Sequence, residues 1–223
     1  KGLVSFITPH THAIIQKYLA RGEKEMPIAV VFGIPPAFEI MGNFSGLHMD
    51  LWGEMEMVGT IMDMDIEMVP CETIPLTVPA HAEIIVEAVV DLTSQTDVGV
   101  GVSTSLYYLP KTATLPDMRI QAITMRKDRP IYRNHLTTPD TDHQTLPRLC
   151  HEAVLYNRLT EIGVKIHDIQ FPTWGAALSC VIQLEAPREG FINDALMQAM
   201  GAPWLNTKMV VAVSPDTDIS NAQ

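Results

Sequence analysis

The sequence is poor in several features that mark common protein classes. Only three cysteines occur, Cys71, Cys150 and Cys180, an odd number with no C-x-x-C pair. That spacing argues against a disulfide framework and against a zinc knuckle. Reduced, mostly buried thiols in a cytoplasmic protein are the expectation. Basic residues are scarce, with 15 Lys+Arg against 26 Asp+Glu and a formal net charge of −11. Charged residues make up only 18% and hydrophobic ones 47%. Such a chain is neither disordered nor a nucleic-acid binder by composition. No apolar run is long enough for a transmembrane helix, so no membrane partner is expected. No basic-then-apolar leader is visible, and the first residue is Lys1 rather than Met.

Familiar catalytic motifs are missing too. Gly99-Val100-Gly101 lacks the third glycine and the following helix of a dinucleotide fingerprint. There is no Walker lysine after a glycine-rich loop, no G-x-S-x-G elbow and no H-E-x-x-H. Asp63-Met64-Asp65-Ile66-Glu67 has the acidity of a calcium loop without its glycine or its final glutamate. The methionines between Met41 and Met68 are irregularly spaced, which suits core filling better than metal trafficking.

What is present is a chain of 223 residues, enough for one large domain or a domain and a half. Ile14, Ile15, Tyr18 and Leu19 fall at helical spacing over 11–20, with Gly22 as a stop. Pro27 to Phe32 reads as a buried strand ended by Gly33, and Pro35-Pro36 can open a helix. Leu51, Met55, Val58 and Met62 predict an amphipathic helix over 50–61, with Glu54 nearly on its apolar face. Strands are predicted over 65–72, 82–92, 98–109 and 118–126. After a polar stretch near Pro139, Asp142 can cap a helix that Gly163 stops. Strands over 165–171 and 177–184, a helix over 191–200 and a strand over 208–213 follow. That order describes a small α/β layer. The domain boundary falls near residue 136, giving a β-rich part over 1–136 and an α/β part over 137–223.

His10-Thr11-His12 precedes the first helix. Two imidazoles so close can be ordinary loop residues, or can share a metal if a carboxylate joins them from elsewhere.

Several stretches, in order, resemble the UbiD family of aromatic and acrylic acid (de)carboxylases. Met26-Pro-Ile-Ala-Val-Val-Phe-Gly-Ile-Pro-Pro-Ala37 is similar to the family's "PxAxxxGxxPA" turn, and Glu54-Met-Glu-Met-Val-Gly59 to its "E-x-x-x-x-G" helix. Val69 to Glu87 is similar to "VKCET…L.VPA.AEIV.EG", and Thr207 to Ile219 to "TK.VVVVD.DIDI". The resemblance spans nearly the whole chain. It implies an α+β fold, in which a split β-barrel flavin-binding domain is followed by a C-terminal α/β domain that is incomplete here. Family members are longer and begin with a further α/β domain.

The resemblance also implies a cofactor, prenylated FMN, held through its phosphate by a divalent metal (Mn2+ or another) and by K+. Family metal ligands are an Asn, a His and a Glu. Matched by spacing to Gly22 and Gly59, the His falls at His10, with His12 as fallback, and the Glu at Glu54. The Asn would lie upstream. A hard cation bridging carboxylate, imidazole and phosphate oxygens is sound chemistry. A glutamate on a mostly apolar helix face would be costly to bury unless paired, so a ligand role also explains that placement. Lys208 matches a lysine near the cofactor phosphate. Gly42, Asn43 and Phe44 match a loop that lines the flavin.

The catalytic residues are where the sequence departs from the family. The family's Glu-Arg-Glu set has its Arg upstream and both glutamates in a segment like "EGPFGE…GY". Here, aligning on Tyr107 puts Val98 and Ser103 at the glutamate positions, and a single gap puts Asp97 and Val102 there. Neither supplies the general acid that protonates carbon after CO2 leaves. The catalytic residues are therefore unassigned. The implied partners are an aromatic small-molecule substrate, CO2, further copies of the chain in a dimer or hexamer, a UbiD-like paralogue, and a flavin prenyltransferase that supplies the cofactor. The alternatives are a non-catalytic UbiD-like subunit of a multi-subunit carboxylase and a flavin-binding barrel without lyase activity.

Overall fold

The structure is a computed structural model. It describes residues 2–3, 9–42, 53–99, 112–131, 142–175, 178–186, 188–202 and 207–219. The fold is mixed α+β, and its Cα packing forms two units. The first comprises Lys1–Pro35, Met64–Gly101 and Leu109–Asn134; the second comprises Pro36–Asp63, Val102–Tyr108 and His135–Gln223.

The first unit is built on a four-stranded antiparallel sheet, ordered β1-β6-β5-β2. Its strands are β1 (Gly2–Leu3), β2 (Glu25–Phe32), β5 (Ile84–Gly99) and β6 (Thr112–Met125). The order does not close on itself among the described strands. The apolar run Pro27–Phe32 forms β2 as its composition predicts, in register with β5 from Glu25↔Asp91 to Phe32↔Ile84. Helix α1 (Pro9–Ala20) precedes it. Ile14 and Leu19 are 45% and 42% exposed.

Gly33 ends β2 with φ 69°. A Cβ there would stand 2.3 Å from Cγ of Glu83 and 3.1 Å from the Ile131 carbonyl oxygen, so the turn requires glycine twice over. Glu83 is held in place by Arg126, whose Nη1 donates to it at 2.9 Å, and by the Ile131 N–H at 3.0 Å.

Strand β5 is longer than predicted, running unbroken where a break between 92 and 98 was expected. The register slips between Asp91 and Gln95. There the Asp91 carboxylate accepts from Thr93 N–H and Oγ1, a local side-chain substitute for ladder bonds. The short hairpin β3 (Met68–Pro70) and β4 (Thr77–Pro79) encloses a loop tied to the sheet by Glu87. That carboxylate is 1% exposed. It accepts from the N–H of Glu72 at 2.8 Å, and from the N–H and hydroxyl of Thr73, each at 2.6 Å. Burial alone would raise its pKa, but these bonds and that from Ile74 N–H hold it below the ordinary carboxylate range.

The second unit carries α2 (Pro36–Gly42), α3 (Glu54–Met62), α4 (Asp142–Glu161), α5 (Glu189–Met200) and the sheet β7-β8-β9 (Lys165–Gln170, Ser179–Glu185, Met209–Val213). The predicted order of helix, two strands, helix and strand is found. Strand β8 pairs antiparallel with β7 and parallel with β9, and the parallel pair is connected through α5, as such crossovers require. Leu155 and Leu159 of α4 and Ala195 and Ala199 of α5 pack on Phe171, Cys180 and Ile182 in one apolar core. Arg158 Nε donates to Gln198 at 2.9 Å and ties α4 to α5. Cys150 Sγ contacts the Ile40 carbonyl at 3.1 Å and ties α4 to α2. All three cysteines are free, with Cys150 and Cys180 buried and Cys71 half-buried.

Candidate functional site

Helix α3 begins at Glu54, so Glu54 occupies the first helical position and its side chain is exposed. This corrects the expectation of a glutamate nearly on the apolar face. Val58 is fully buried, whereas Met55 is 39% exposed. The cost of burial therefore plays no part in placing Glu54. The two glutamates of the first turn have different tasks. Glu56 reaches back to the Gly53 N–H at 3.1 Å and satisfies one donor of the helix start. No hydrogen bond or ion pair among the described residues engages the Glu54 carboxylate. It stands at the positive end of the helix, where an anionic side chain is favoured.

His10 lies in the first turn of α1, directly after Pro9, in the first unit. His12 is exposed. Gly42 is the last residue of α2, and an added Cβ there would meet nothing within 4 Å. Among the described residues, packing does not demand glycine at that position. Asn43 and Phe44 lie outside the described residues. Of the residues at the glutamate positions, Asp97 and Val98 lie on β5, while Val102 and Ser103 are outside the described residues. Asp97 is exposed and accepts from Thr114 Oγ1 at 2.5 Å across the β5–β6 pair.

Lys208 is exposed and directly precedes β9. Its N–H donates to the Leu178 carbonyl at 2.7 Å, and Met209 N–H donates to the same oxygen at 3.1 Å. The lysine is thus fixed at the end of the sheet where β8 and β9 both start. Asp216, beyond β9, is held below the usual carboxylate range by the Ser214 hydroxyl. Gln183 of β8 donates to the carbonyls of Pro215 and Thr217, each at 2.8 Å, and so clamps that loop.

By residue type an imidazole and a carboxylate suit a divalent cation, but His10 belongs to the first unit and Glu54, not committed to capping, to the second. Among the described residues no group of three or more His, Cys, Asp or Glu is gathered for a metal.

Other perturbed groups lie on α4. His151 packs against Phe171 with ring centroids 5.6 Å apart, and burial lowers its pKa to about 4. Burial raises Glu152, helped by Asp168 and opposed by Arg148. A groove of about 380 Å³ runs between α4 and β7, lined by Leu149, Glu152, Tyr156 and Asp168 among others. None of the residues singled out from the sequence lines it. Glu87 was missed by the sequence reading. Its signal is an acidic residue inside the apolar run Ile84 to Val90.

Two family models match the chain in succession. The Rift-related domain of the 3-octaprenyl-4-hydroxybenzoate carboxy-lyase family covers residues 1–139, and the C-terminal domain of the same family covers 144–223. The anhydromevalonate phosphate decarboxylase of Methanothermobacter thermautotrophicus is 26% identical over 231 aligned positions, covering 97% of this chain and 49% of that protein. An evolved dimeric form of the UbiD-class enzyme HmfF from Pelotomaculum thermopropionicum, in complex with prFMN, superposes with a TM-score of 0.82 at 24% identity, over 97% of this chain and 50% of that one. Apo 3,4-dihydroxybenzoic acid decarboxylase (AroY) from Klebsiella pneumoniae gives 0.81 at 23%, over 97% and 47%. The chain spans about half the length of these relatives. With both domain models matched in order, the chain belongs to the UbiD family.

Proposed function

We propose that the chain forms the flavin-holding and C-terminal parts of a prenylated-FMN-dependent decarboxylase or carboxylase. Its substrate would be an aromatic acid or an activated aromatic derivative, such as an aryl-CoA ester or aryl phosphate. The observation that carries this reading is the Glu54–Glu56 pair. Glu56 is spent on the helix start, and Glu54 is left as an exposed carboxylate at the position that the resemblance matches to a metal ligand. Solved relatives bound to prFMN and to FMN support the flavin.

In this reading Glu54 and His10 hold the divalent metal, Mn2+ or another. Lys208 and K+ add positive charge beside the cofactor phosphate. A lysine ammonium is a point charge suited to that task. In a chain of net charge −11, an anionic cofactor needs such local cations. Gly42, Asn43 and Phe44 would be the loop residues against the flavin. The prenylated flavin supplies the electron sink for loss of CO2. The protein orients the acid and excludes water from it. The proton donor is not one of the usual glutamates. Two chains of this kind would meet in a homo-oligomer, and a separate flavin prenyltransferase would furnish the cofactor. A cytoplasmic setting fits the reduced cysteines.

A second substrate reading, a non-aromatic unsaturated acid carrying a phosphate, is favoured by the name of the Methanothermobacter relative. The test is isotope exchange. The whole protein, matured with prenylated flavin and incubated with ¹³C-bicarbonate, should label the carboxylate of an aromatic acid. Exchange into a phosphate-bearing unsaturated acid alone would select the second reading. Stable flavin with no exchange into either would favour a non-catalytic, UbiD-like subunit.

A further inference from the structure

Helix α4 has two apolar faces where the fold uses one. Leu155 and Leu159 turn into the core of the second unit and are fully buried. Leu149, Ala153 and Tyr156 follow at i, i+4 and i+7 on another side of the helix. Leu149 and Tyr156 remain 52% and 50% exposed. A helix that only had to cover its sheet would carry polar residues there. At 1.5 Å of rise per residue, these two large side chains stand about 10 Å apart along the helix.

Glu152 falls between them. Together they form one wall of the groove of about 380 Å³ between α4 and β7, and Ile166 and Asp168 of β7 form the other. The lining carries two carboxylates, Glu152 and Asp168, and no lysine or arginine. His167 is turned to Glu185, 3.4 Å away. Asp168 accepts from the Ile169 N–H at 2.8 Å and from Gln170 Nε2 at 3.0 Å, both neutral donors. Burial and the like charge of Asp168 hold Glu152 above the ordinary carboxylate range, against the pull of Arg148. An acidic pair short of counter-charge, set between apolar walls, is complementary to a cation carried on an apolar surface.

Among the described residues β7 is the outer strand of its sheet. Its edge is blunted by the register slip at His167 and by the Asp168 bond to the Ile169 N–H. Contact in this groove is therefore made by side chains rather than by an added strand. We propose that the α4–β7 groove docks a basic amphipathic helix of a partner protein. Apolar side chains at i and i+7 of that helix pack on Leu149 and Tyr156, and the lysine or arginine between them meets Glu152 and Asp168. The groove lies wholly within the second unit and is independent of the flavin and metal reading.

The test uses the whole protein and a fluorescein-labelled helical peptide of Leu, Lys and Ala, with Leu at i and i+7 and Lys at i+3 and i+4. Binding is read by fluorescence anisotropy at about 0.15 M salt, where distant charges are screened. The peptide should bind, and the same peptide with Glu in place of Lys should not. Glu152→Gln combined with Asp168→Asn should weaken binding about tenfold, and so should Tyr156→Ser. Glu25→Gln combined with Glu67→Gln removes two exposed charges from the first unit and should leave binding unchanged. Circular dichroism checks that each variant is folded, and Leu149→Ser repeats the apolar test at a second exposed position. Equal weakening by the two charge pairs overturns the proposal, since the peptide would then sense only an acidic protein. A wild type that binds no Lys peptide overturns it too. Binding of n-butylamine as tight as that of the peptide would overturn it in favour of a small-cation pocket. A concentration-dependent dimer that Leu149→Ser dissolves would overturn it in favour of a second copy of the chain.

Discussion

Replacing Glu87 with Gln should destabilise the first unit by about 2–4 kcal/mol near neutral pH. The carboxylate is 1% exposed and accepts three bonds of 2.6–2.8 Å from Glu72 and Thr73. Bonds to a charged acceptor contribute roughly 1.5–3 kcal/mol each, and an amide nitrogen turned toward those donors accepts none of them. One carbonyl oxygen remains in the variant, so the loss is of the order of one to two such bonds. At about 2–4 °C per kcal/mol for a chain of this size, the melting temperature should fall by roughly 4–16 °C. The sign of the pH dependence follows from the lowered pKa. Stability from Glu87 is complete above the unfolded value near 4.5 and is lost as pH falls through the lower folded value. The difference between wild type and variant should therefore shrink on acidification below about pH 4. Urea denaturation followed by circular dichroism from pH 7 down to 3 measures this, with the exposed Glu25→Gln as control. A Glu87→Gln loss under about 0.5 kcal/mol at pH 7, the range of surface substitutions, would refute the reasoning.

Other outcomes follow from the same geometry. His151, lowered to about 4 by burial, contributes stability that is full above about 6.5 and declines as pH falls toward 4. Wild type should lose more stability than His151→Phe between pH 7 and pH 5 in the same denaturation assay, and equal losses would contradict the burial. Gly33→Ala should cost at least about 2 kcal/mol, from positive φ and from the displaced Glu83 side chain together. Glu83→Gly, combined with it, should recover part of that cost in thermal melts, since both clashing side-chain atoms, Cβ and Cγ, are gone.

The sequence carries the second unit well because its periods are clean there. Asp142 starts α4 and the apolar runs of β7, β8 and β9 are short and bounded, so helix and strand separate by length and spacing. The first unit is harder to read. The register slip after Asp91 interrupts the alternation along β5, and one long strand reads as two. Glu87 hides because a charged residue in an apolar run suggests an edge, while the four donors of the Cys71–Ile74 loop that pay for its burial lie fifteen residues away in sequence. A cut near residue 136 is a division along the chain. Packing groups Pro36–Asp63 with His135–Gln223, through contacts such as Cys150 to Ile40 that no linear pattern displays. Glu54 is exposed rather than set on an apolar face, because the helix starts at that residue.

The most direct test of the cofactor site separates Glu54 from Glu56. Whole protein matured with prenylated flavin and Mn2+ is passed through gel filtration, and bound flavin and manganese are quantified by absorbance and elemental analysis. The account expects near-stoichiometric flavin and metal in wild type. Glu56→Ala should retain both and lose only helix-start stability, about 1 kcal/mol. Glu54→Gln should lose manganese and release flavin. Equal retention of flavin and manganese in Glu54→Gln and wild type would contradict the metal-held cofactor.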